Sequence, residues 1–502
     1  MPAPAPRPGP GHALPPPLAA AIVFFASGSV LVLEVVGLRL VAPYVGVTLQ
    51  TSSAVIGVAL AAIAVGAWLG GRVADTVAPR RLLPMTLVLA GTTATVTLPL
   101  VRLAGSAMRA DDPLSVTVLA FIAVFAPCVF LAAVPPMVVK LQLRELGRTG
   151  TVVGQLSGIG TLGAIIATFA TGFILLAALP TSAIVLGLGA GIFLVGLALG
   201  LTPGAWRRPP AAVLLLGLLS AATAVWVPSP CLVETAYHCG QVLPDPDRSS
   251  ARRLVLDTVV HSDVDVADPT YLRFGYTQAI ASTADVMRPP GEPLEALHLG
   301  AGALTLPRYL AATRPGSRSR VVEVDPGVLA LDRDKLRLGL VPGVQVDVAD
   351  ARVALSGEPS GSRDLVVGDA FGGLAVPWHL TTREVVAEIA RILKPDGVYA
   401  LNLIDHPPNR FAYAEVATVA SVFPQVAVVA AESAIEGRSG GNFVIVASAR
   451  PLPVAPLRQR LLDRGSDLTV ASDGDAGRFA GRAPVLTDDY APVDQLLTPH
   501  PS

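Results

Sequence analysis

The sequence is poor in charge. Only 15% of its 502 residues are Asp, Glu, Lys or Arg, against roughly 25% in an average soluble protein, which argues against an ordinary soluble globule along its whole length. Aromatic residues are scarce at 5%, and three cysteines exclude a disulfide-rich scaffold. Neither sign of charge is in excess, with 37 basic and 38 acidic residues, so the basic domain of a nucleic-acid binder is missing and no nucleic-acid partner is expected. What the chain does hold is 52% apolar residues, 47 glycines and 45 prolines. Glycine and proline together make about 18%, under the roughly 25–30% of a low-complexity chain.

These averages conceal a division. Residues 1–228 carry 12 basic and 5 acidic side chains, and residues 229–502 carry 25 and 33. The first part reads as membrane spans, because about 20 apolar residues of helix cross a bilayer core about 30 Å thick. Seven candidates run over 18–41, 53–70, 82–103, 114–139, 153–178, 180–201 and 210–228. The fifth and sixth are parted only by Leu179-Pro180-Thr181, so one bent segment is an alternative. Gly158, Gly160, Gly163 and Ala167 are the small residues that let helices approach in lipid. The Pro/Ala-rich residues 1–17 are expected to be disordered, and the first apolar run is too long for a cleaved signal peptide. Glu34 and Arg39 sit in the first span. They read as a functional pair, or as a structural pair with Arg39 reaching the interface.

Loop charges set the expected orientation. Arg72, Arg80 and Arg81 follow the second span, Lys140, Arg144 and Arg148 the fourth, and Arg207 and Arg208 the sixth. Arg102 and Arg109 after the third are offset by Asp111 and Asp112. The even loops and the N-terminus then face the cytoplasm, and seven spans put the acidic part outside, whereas six or eight keep it inside. Cys231 and Cys239 follow the last span. They are a disulfide if outside, two separate thiols otherwise; His238 is nearby, but no second cysteine pair completes a metal site. No metal is expected. Cys128 falls within the fourth span and reads as packing.

Beyond a linker at 240–250, strands alternate with helices. Strands are expected at Arg253–Asp257, Glu295–Gly300, Arg320–Asp325, Val344–Asp350, Asp364–Asp369, Val398–Ile404, Val426–Ala431 and Asn442–Ser448. Helices are expected at Thr305–Ala312, Gly327–Leu338, Thr382–Leu393 and Arg410–Phe423. Such alternation implies a parallel sheet with helices on both faces, and Ser439-Gly440-Gly441 suggests a late hairpin. Ligands of such sheets bind beyond the carboxyl ends of the strands. There lie Gly300 and Gly302, then Glu323 and Asp325, then Asp350 and Ala351, then Asp369. Glycine admits a close backbone approach, an acid after the second strand suits two ribose hydroxyls, and Asp350 suits an exocyclic amine. Each acid has an ordinary reading as a strand end or helix cap; four at successive strand ends point to a nucleoside.

The order of these signals resembles the spermidine synthase (polyamine aminopropyltransferase) family. The resemblance rests on His298-Leu-Gly-Ala-Gly-Ala-Leu-Thr-Leu-Pro-Arg308, Val322-Glu-Val-Asp325, Val348-Ala-Asp-Ala-Arg352 and Asp364-Leu-Val-Val-Gly-Asp369. Leu254-Val-Leu-Asp-Thr258 and Phe274-Gly-Tyr-Thr-Gln278 are similar to its small β-domain and tyrosine motif. Leu33-Glu34 through Arg39 and Pro43, with Gly70-Gly-Arg-Val-Ala-Asp75 and Thr487-Asp-Asp-Tyr-Ala-Pro-Val493, look like a membrane-fused subgroup. The implied architecture is a multi-span helical region at 18–228, a linker and small β subdomain at 229–290, a Rossmann-like domain at 291–450 and an extension at 451–502.

The resemblance implies aminopropyl transfer from decarboxylated S-adenosylmethionine to a polyamine. Asp369 would be the base, Tyr276 and Gln278 would line the amine pocket, and Gly300, Gly302, Glu323, Asp325, Asp350 and Ala351 would hold the co-substrate, with no permanently bound cofactor. Ala303, Gly372 and Gln278 stand where the family carries acids, so Asp263, Asp265 or Asp405 would have to replace them. A methyltransferase using S-adenosylmethionine, with Arg308 on its carboxylate, is one alternative. A non-catalytic transport or sensing protein with a nucleoside-binding domain is another. The expected partners are the lipid bilayer and a small-molecule amine, the expected location is the cell membrane as a multi-pass protein, and a homodimer is implied by the resemblance only.

Overall fold

The computed structural model describes residues 14–498 apart from 109–111, 144–145, 203–204, 207–210, 374 and 473. Arg109, Asp111, Arg144, Arg207, Arg208 and residues 1–13 of the expected disordered segment lie outside the described residues. The chain divides into two units, Met1–Cys239 and Gly240–Ser502.

Among the described residues of the first unit six helices are long and apolar enough to cross a membrane: Pro16–Val45, Leu49–Thr76, Pro79–Ala107, Pro113–Gln142, Thr149–Ala178 and Thr181–Gly200. The expected seventh span is the 16-residue helix Ala211–Trp226. At 1.5 Å per residue its described part extends about 24 Å, so the described residues of this unit hold six long apolar helices and a shorter one. The bent-segment alternative is excluded, because Leu179 turns extended (φ −134°, ψ 143°) and Pro180 precedes a new helix. Small residues bring helices together as expected: a Cβ on Gly163 would stand 2.4 Å from the Phe24 carbonyl oxygen, and one on Gly91 would stand 2.5 Å from that of Gly189. Gly158 makes no such approach.

Arg39 does reach for the end of its helix. It donates to the carbonyls of Tyr237 and, at 3.3 Å, Thr235. Arg102 donates to the Val227 carbonyl at 2.7 Å, and Glu234 accepts from the Ser182 N–H at 2.8 Å. Two arginines thus hold the segment that leaves the last helix, and Cys231 and Cys239 close it as a disulfide with their Cα atoms 5.1 Å apart. Cys128 is the buried free thiol. In a Cys128→Ala variant, the native protein is expected to take no maleimide until reductant is added and two labels afterwards; labelling without reductant would disprove the bond.

A two-residue strand, β1 (Val233–Glu234), ends the first unit. The next strand, β2 (Cys239–Pro244), pairs from Gly240 onward with β3 (Ala251–Leu256), and β3 pairs with β4 (Val259–Asp265), all antiparallel. Part of the expected linker at 240–250 is therefore strand. The main sheet contains β5 (Glu295–Leu299), β6 (Arg318–Glu323), β7 (Val344–Val348), β8 (Arg363–Gly368), β9 (Leu393–Asp405), β10 (Gln425–Ala431), β11 (Gly441–Ser448) and β12 (Leu468–Ser472), in the order β12-β10-β11-β9-β8-β5-β6-β7. The five strands β9-β8-β5-β6-β7 are parallel, whereas β11 runs antiparallel to both β9 and β10. The expected late hairpin is thus present, with a short helix at Glu432–Ile435 between its arms.

Alternation of side chains across the strands builds two apolar layers. Leu297, Leu299, Val366, Leu401 and Leu403 face the helices Arg383–Ile392 and Arg410–Ala420. Ala296, Leu365, Val367, Val398 and Ala400 face Gly275–Met287, Thr305–Thr313 and Val454–Asp463. This is a Rossmann-like, methyltransferase-type sheet with helices on both faces.

Candidate active site

The chain runs β5→β6→β7 in one direction and then returns to place β8 on the other flank of β5. The crevice beyond the carboxyl ends of β5 and β8 is thus the topological switch point where such sheets take ligands. Here the strand ends are tightly joined. The Gly300 N–H donates to the Val322 carbonyl and the Asp369 N–H to the Leu299 carbonyl, both at 2.9 Å. Gly300 has φ +99°, and a Cβ on it would stand 2.4 Å from the Asp369 carbonyl oxygen. Gly302, at φ +48°, has the Ser262 hydroxyl where its Cβ would be, and that hydroxyl accepts from the Ala303 N–H at 3.1 Å.

Glu323 ends β6 with one carboxylate oxygen accepting from the Ala301 N–H and the other from the Asp325 N–H, each at 2.9 Å. Burial pushes its carboxyl up from the ordinary value, opposed by those backbone bonds. Glu323 thereby ties the glycine loop of β5 to the end of β6. Asp325 caps the helix Pro326–Lys335 through the Gly327 N–H. Asp350 caps Ala351–Ser356 through the Val353 N–H and lies 3.3 Å from the His379 imidazole. Ala351 is buried beside it.

Asp369 is the focus. Asn402, buried in β9, donates to its Oδ1 at 2.8 Å, and Asn442 of β11 donates to Asn402 at 3.0 Å. Tyr276 is buried on the helix Gly275–Met287, where its hydroxyl donates to the His261 carbonyl at 3.4 Å. Burial pushes the Asp369 carboxyl up to about 6, against the lowering pull of Asn402 and Tyr276. Burial and the neighbouring Asp369 charge hold the Tyr276 phenol well above its ordinary value. A carboxyl near 6 is ionised at neutral pH yet basic enough to accept a proton in a transition state.

Other expected residues are occupied elsewhere. The Gln278 side chain donates to the Leu272 carbonyl at 2.9 Å, bracing the loop before its own helix. Arg308 is buried and donates to the carbonyls of Ala303 and Leu336, so it is not available to a substrate carboxylate. Asp263 is buried between Arg253 and Arg273. Asp265 accepts from Ser250 and from the Ala267 and Asp268 N–H groups. Asp405 accepts from the His406, Phe411, Ala412 and Thr498 N–H groups. Asp265 and Asp405 are thus held by hydrogen bonds, whereas both Asp263 carboxylate oxygens are buried without one. Asn402 was legible in principle, as an amide inside the apolar run Val398–Ile404; Ser262 carried no signal.

No family model matches the chain. It is 27% identical over 252 residues to the polyamine aminopropyltransferase of Vibrio vulnificus, covering 46% of this chain and 78% of that one. It is 27% identical over 147 residues to the polyamine aminopropyltransferase of Chromobacterium violaceum, covering 28% and 54%. Among solved structures it is similar to a probable spermidine synthase from Corynebacterium glutamicum, at 29% identity, covering 50% of this chain and 94% of that one, with a TM-score of 0.48. The strand-end residues and the sequence relatives agree: the chain is similar to the polyamine aminopropyltransferases.

Proposed function

We propose that this protein is a membrane-anchored transferase that moves an aminopropyl group from decarboxylated S-adenosylmethionine to an amine. The observation that carries the reading is Asp369, a partly buried carboxyl at the switch point that accepts a hydrogen bond from Asn402 at 2.8 Å. The acceptor nitrogen attacks the propyl carbon beside the sulfonium. The carbon–sulfur bond breaks, its electron pair stays on sulfur as a neutral thioether, and the amine proton passes to Asp369. The sulfonium is already a good leaving group, so alignment and proton removal are the work left to the protein. Glu323 and Asp350 would take the ribose and the adenine. Sequence relatives bearing a transferase name support this class. The occupation of Arg308 by backbone carbonyls counts against the methyl-transfer alternative.

The six long apolar helices support a multi-pass membrane location. The Cys231–Cys239 disulfide supports an oxidising side for the segment that follows them. The test is incubation of the purified full chain with decarboxylated S-adenosylmethionine and putrescine or spermidine. Methylthioadenosine and a lengthened polyamine are expected in equal amounts. Product that forms only with S-adenosylmethionine and carries a methyl group would replace this reading with methyl transfer.

A further inference from the structure

The acid of Leu33-Glu34 takes no part in the chemistry at Asp369. Glu34 stands on Pro16–Val45, the helix that packs against each of the other five long ones. At 1.5 Å per residue it lies about 27 Å along the axis from Pro16 and about 17 Å from Val45, at least about three turns from either end. Ionisable side chains at such depth are costly to keep and mark functional positions. The basic group of the same helix, Arg39, turns away to the carbonyls of Tyr237 and Thr235. Glu34 itself forms no hydrogen bond and no ion pair among the described residues.

The surroundings of Glu34 are apolar apart from one thiol. Three helices meet at Gly37, the next turn: a Cβ there would stand 2.5 Å from Val124 Cγ1 of the fourth long helix and 3.7 Å from Val55 Cγ1 of the second. The fourth helix runs antiparallel to the first, so Cys128, a turn beyond Val124, comes level with Glu34. Cys128 is fully buried and lies within reach of the Glu34 charge. Among the described residues it is the titratable group that the neighbouring helices bring to Glu34. The fourth helix also opens into a π-helical turn over Phe121–Phe125 at this contact, a departure that frequently accompanies functional positions.

A metal cation at Glu34 would need several further oxygen ligands, and no cluster of His, Cys, Asp or Glu among the described residues supplies them. A proton needs only the carboxyl, and its uptake removes the cost of an unpaired charge at this depth. Glu34 is half-buried and not sealed, which leaves the carboxyl open to exchange. We propose that Glu34 is a proton-binding site inside the six-helix unit, which thereby takes up and releases charge at mid-depth and is more than an anchor. The proposal rests on the membrane location and is independent of the transfer chemistry.

The test uses the full chain in native membranes with dicyclohexylcarbodiimide as probe. This apolar reagent takes the protonated form of a carboxyl: the acid O–H adds across a C=N bond, and acyl transfer to nitrogen leaves a stable acylurea. Peptide mass spectrometry is expected to find the adduct on Glu34, and a water-soluble carbodiimide is expected to spare it. Infrared difference spectra between acid and alkaline buffer are expected to show a carbonyl band of a protonated carboxyl without hydrogen bonds. That band should be lost in Glu34→Gln and kept in Glu34→Asp. The adduct is read on the wild-type chain, so a folding defect in a variant leaves that arm intact. No adduct on Glu34, or equal reaction with the water-soluble reagent, overturns the proposal. Protection by sodium or potassium at constant pH overturns it in favour of a metal cation. Release of the chain from membranes by alkaline carbonate removes the membrane location and this proposal with it, whereas retention without an adduct removes the proposal alone.

Discussion

Replacing Asp369 by Asn is expected to lower turnover at least about a hundredfold, the usual contribution of a positioned general base. The amide keeps the size of the side chain and a hydrogen-bonding edge for Asn402 but cannot take the amine proton. Wild-type kcat/KM should rise with pH through about 6 as the buried carboxyl ionises, and this limb should vanish in the variant. Stability should move in the opposite sense. The folded-state value is raised above the ordinary 3.8, so the group's stabilising contribution is fully present below 3.8 and is lost as pH rises through about 6. Activity and stability thus cross in one pH window, and only wild type should show the crossing. A variant with wild-type turnover would remove Asp369 from the chemistry.

Gly300→Ala is expected to be strongly damaging to the second unit. It combines a left-handed backbone (φ +99°) with a Cβ placed 2.4 Å from the Asp369 carbonyl oxygen. Strained conformations of this kind cost about 1–3 kcal/mol, and the clash adds to that by prising β5 from β8 beside the base. For a unit of this size roughly 2–4 °C of melting temperature accompanies each kcal/mol, so a fall of at least about 5 °C is expected, together with loss of nucleoside binding. Gly291→Ala separates the two effects, because Gly291 shares the positive φ (+78°) but meets nothing within 4 Å. Equal losses at both positions would show that the contact at Gly300 contributes nothing.

Much of the second unit was legible because its central strands are apolar and its acids fall where strands end. Glu323, Asp325, Asp350 and Asp369 could be found that way, since a polar side chain at a strand end has few other uses than capping or binding. The small β-sheet was less legible. Its last strand, Val259–Asp265, carries Asp263 and Asp265, acids that give no strand signal; only the neighbouring Arg253, Arg273 and Arg248 give them a reason to be inside. The displaced roles of Gln278 and Arg308 were hidden for a related cause: both serve backbone carbonyls, and carbonyl partners leave no trace in a sequence.

The amide chain from Asn442 through Asn402 to Asp369 makes the strength of the base partly a property of a strand two places away in the sheet. Asn442 is bonded to Asn402 and not to the carboxylate, so exchanging it alters how firmly Asn402 is oriented while leaving the crevice walls as they are. Natural variation or directed evolution thereby has a dial for the working pH of the protein that is separate from its choice of substrate.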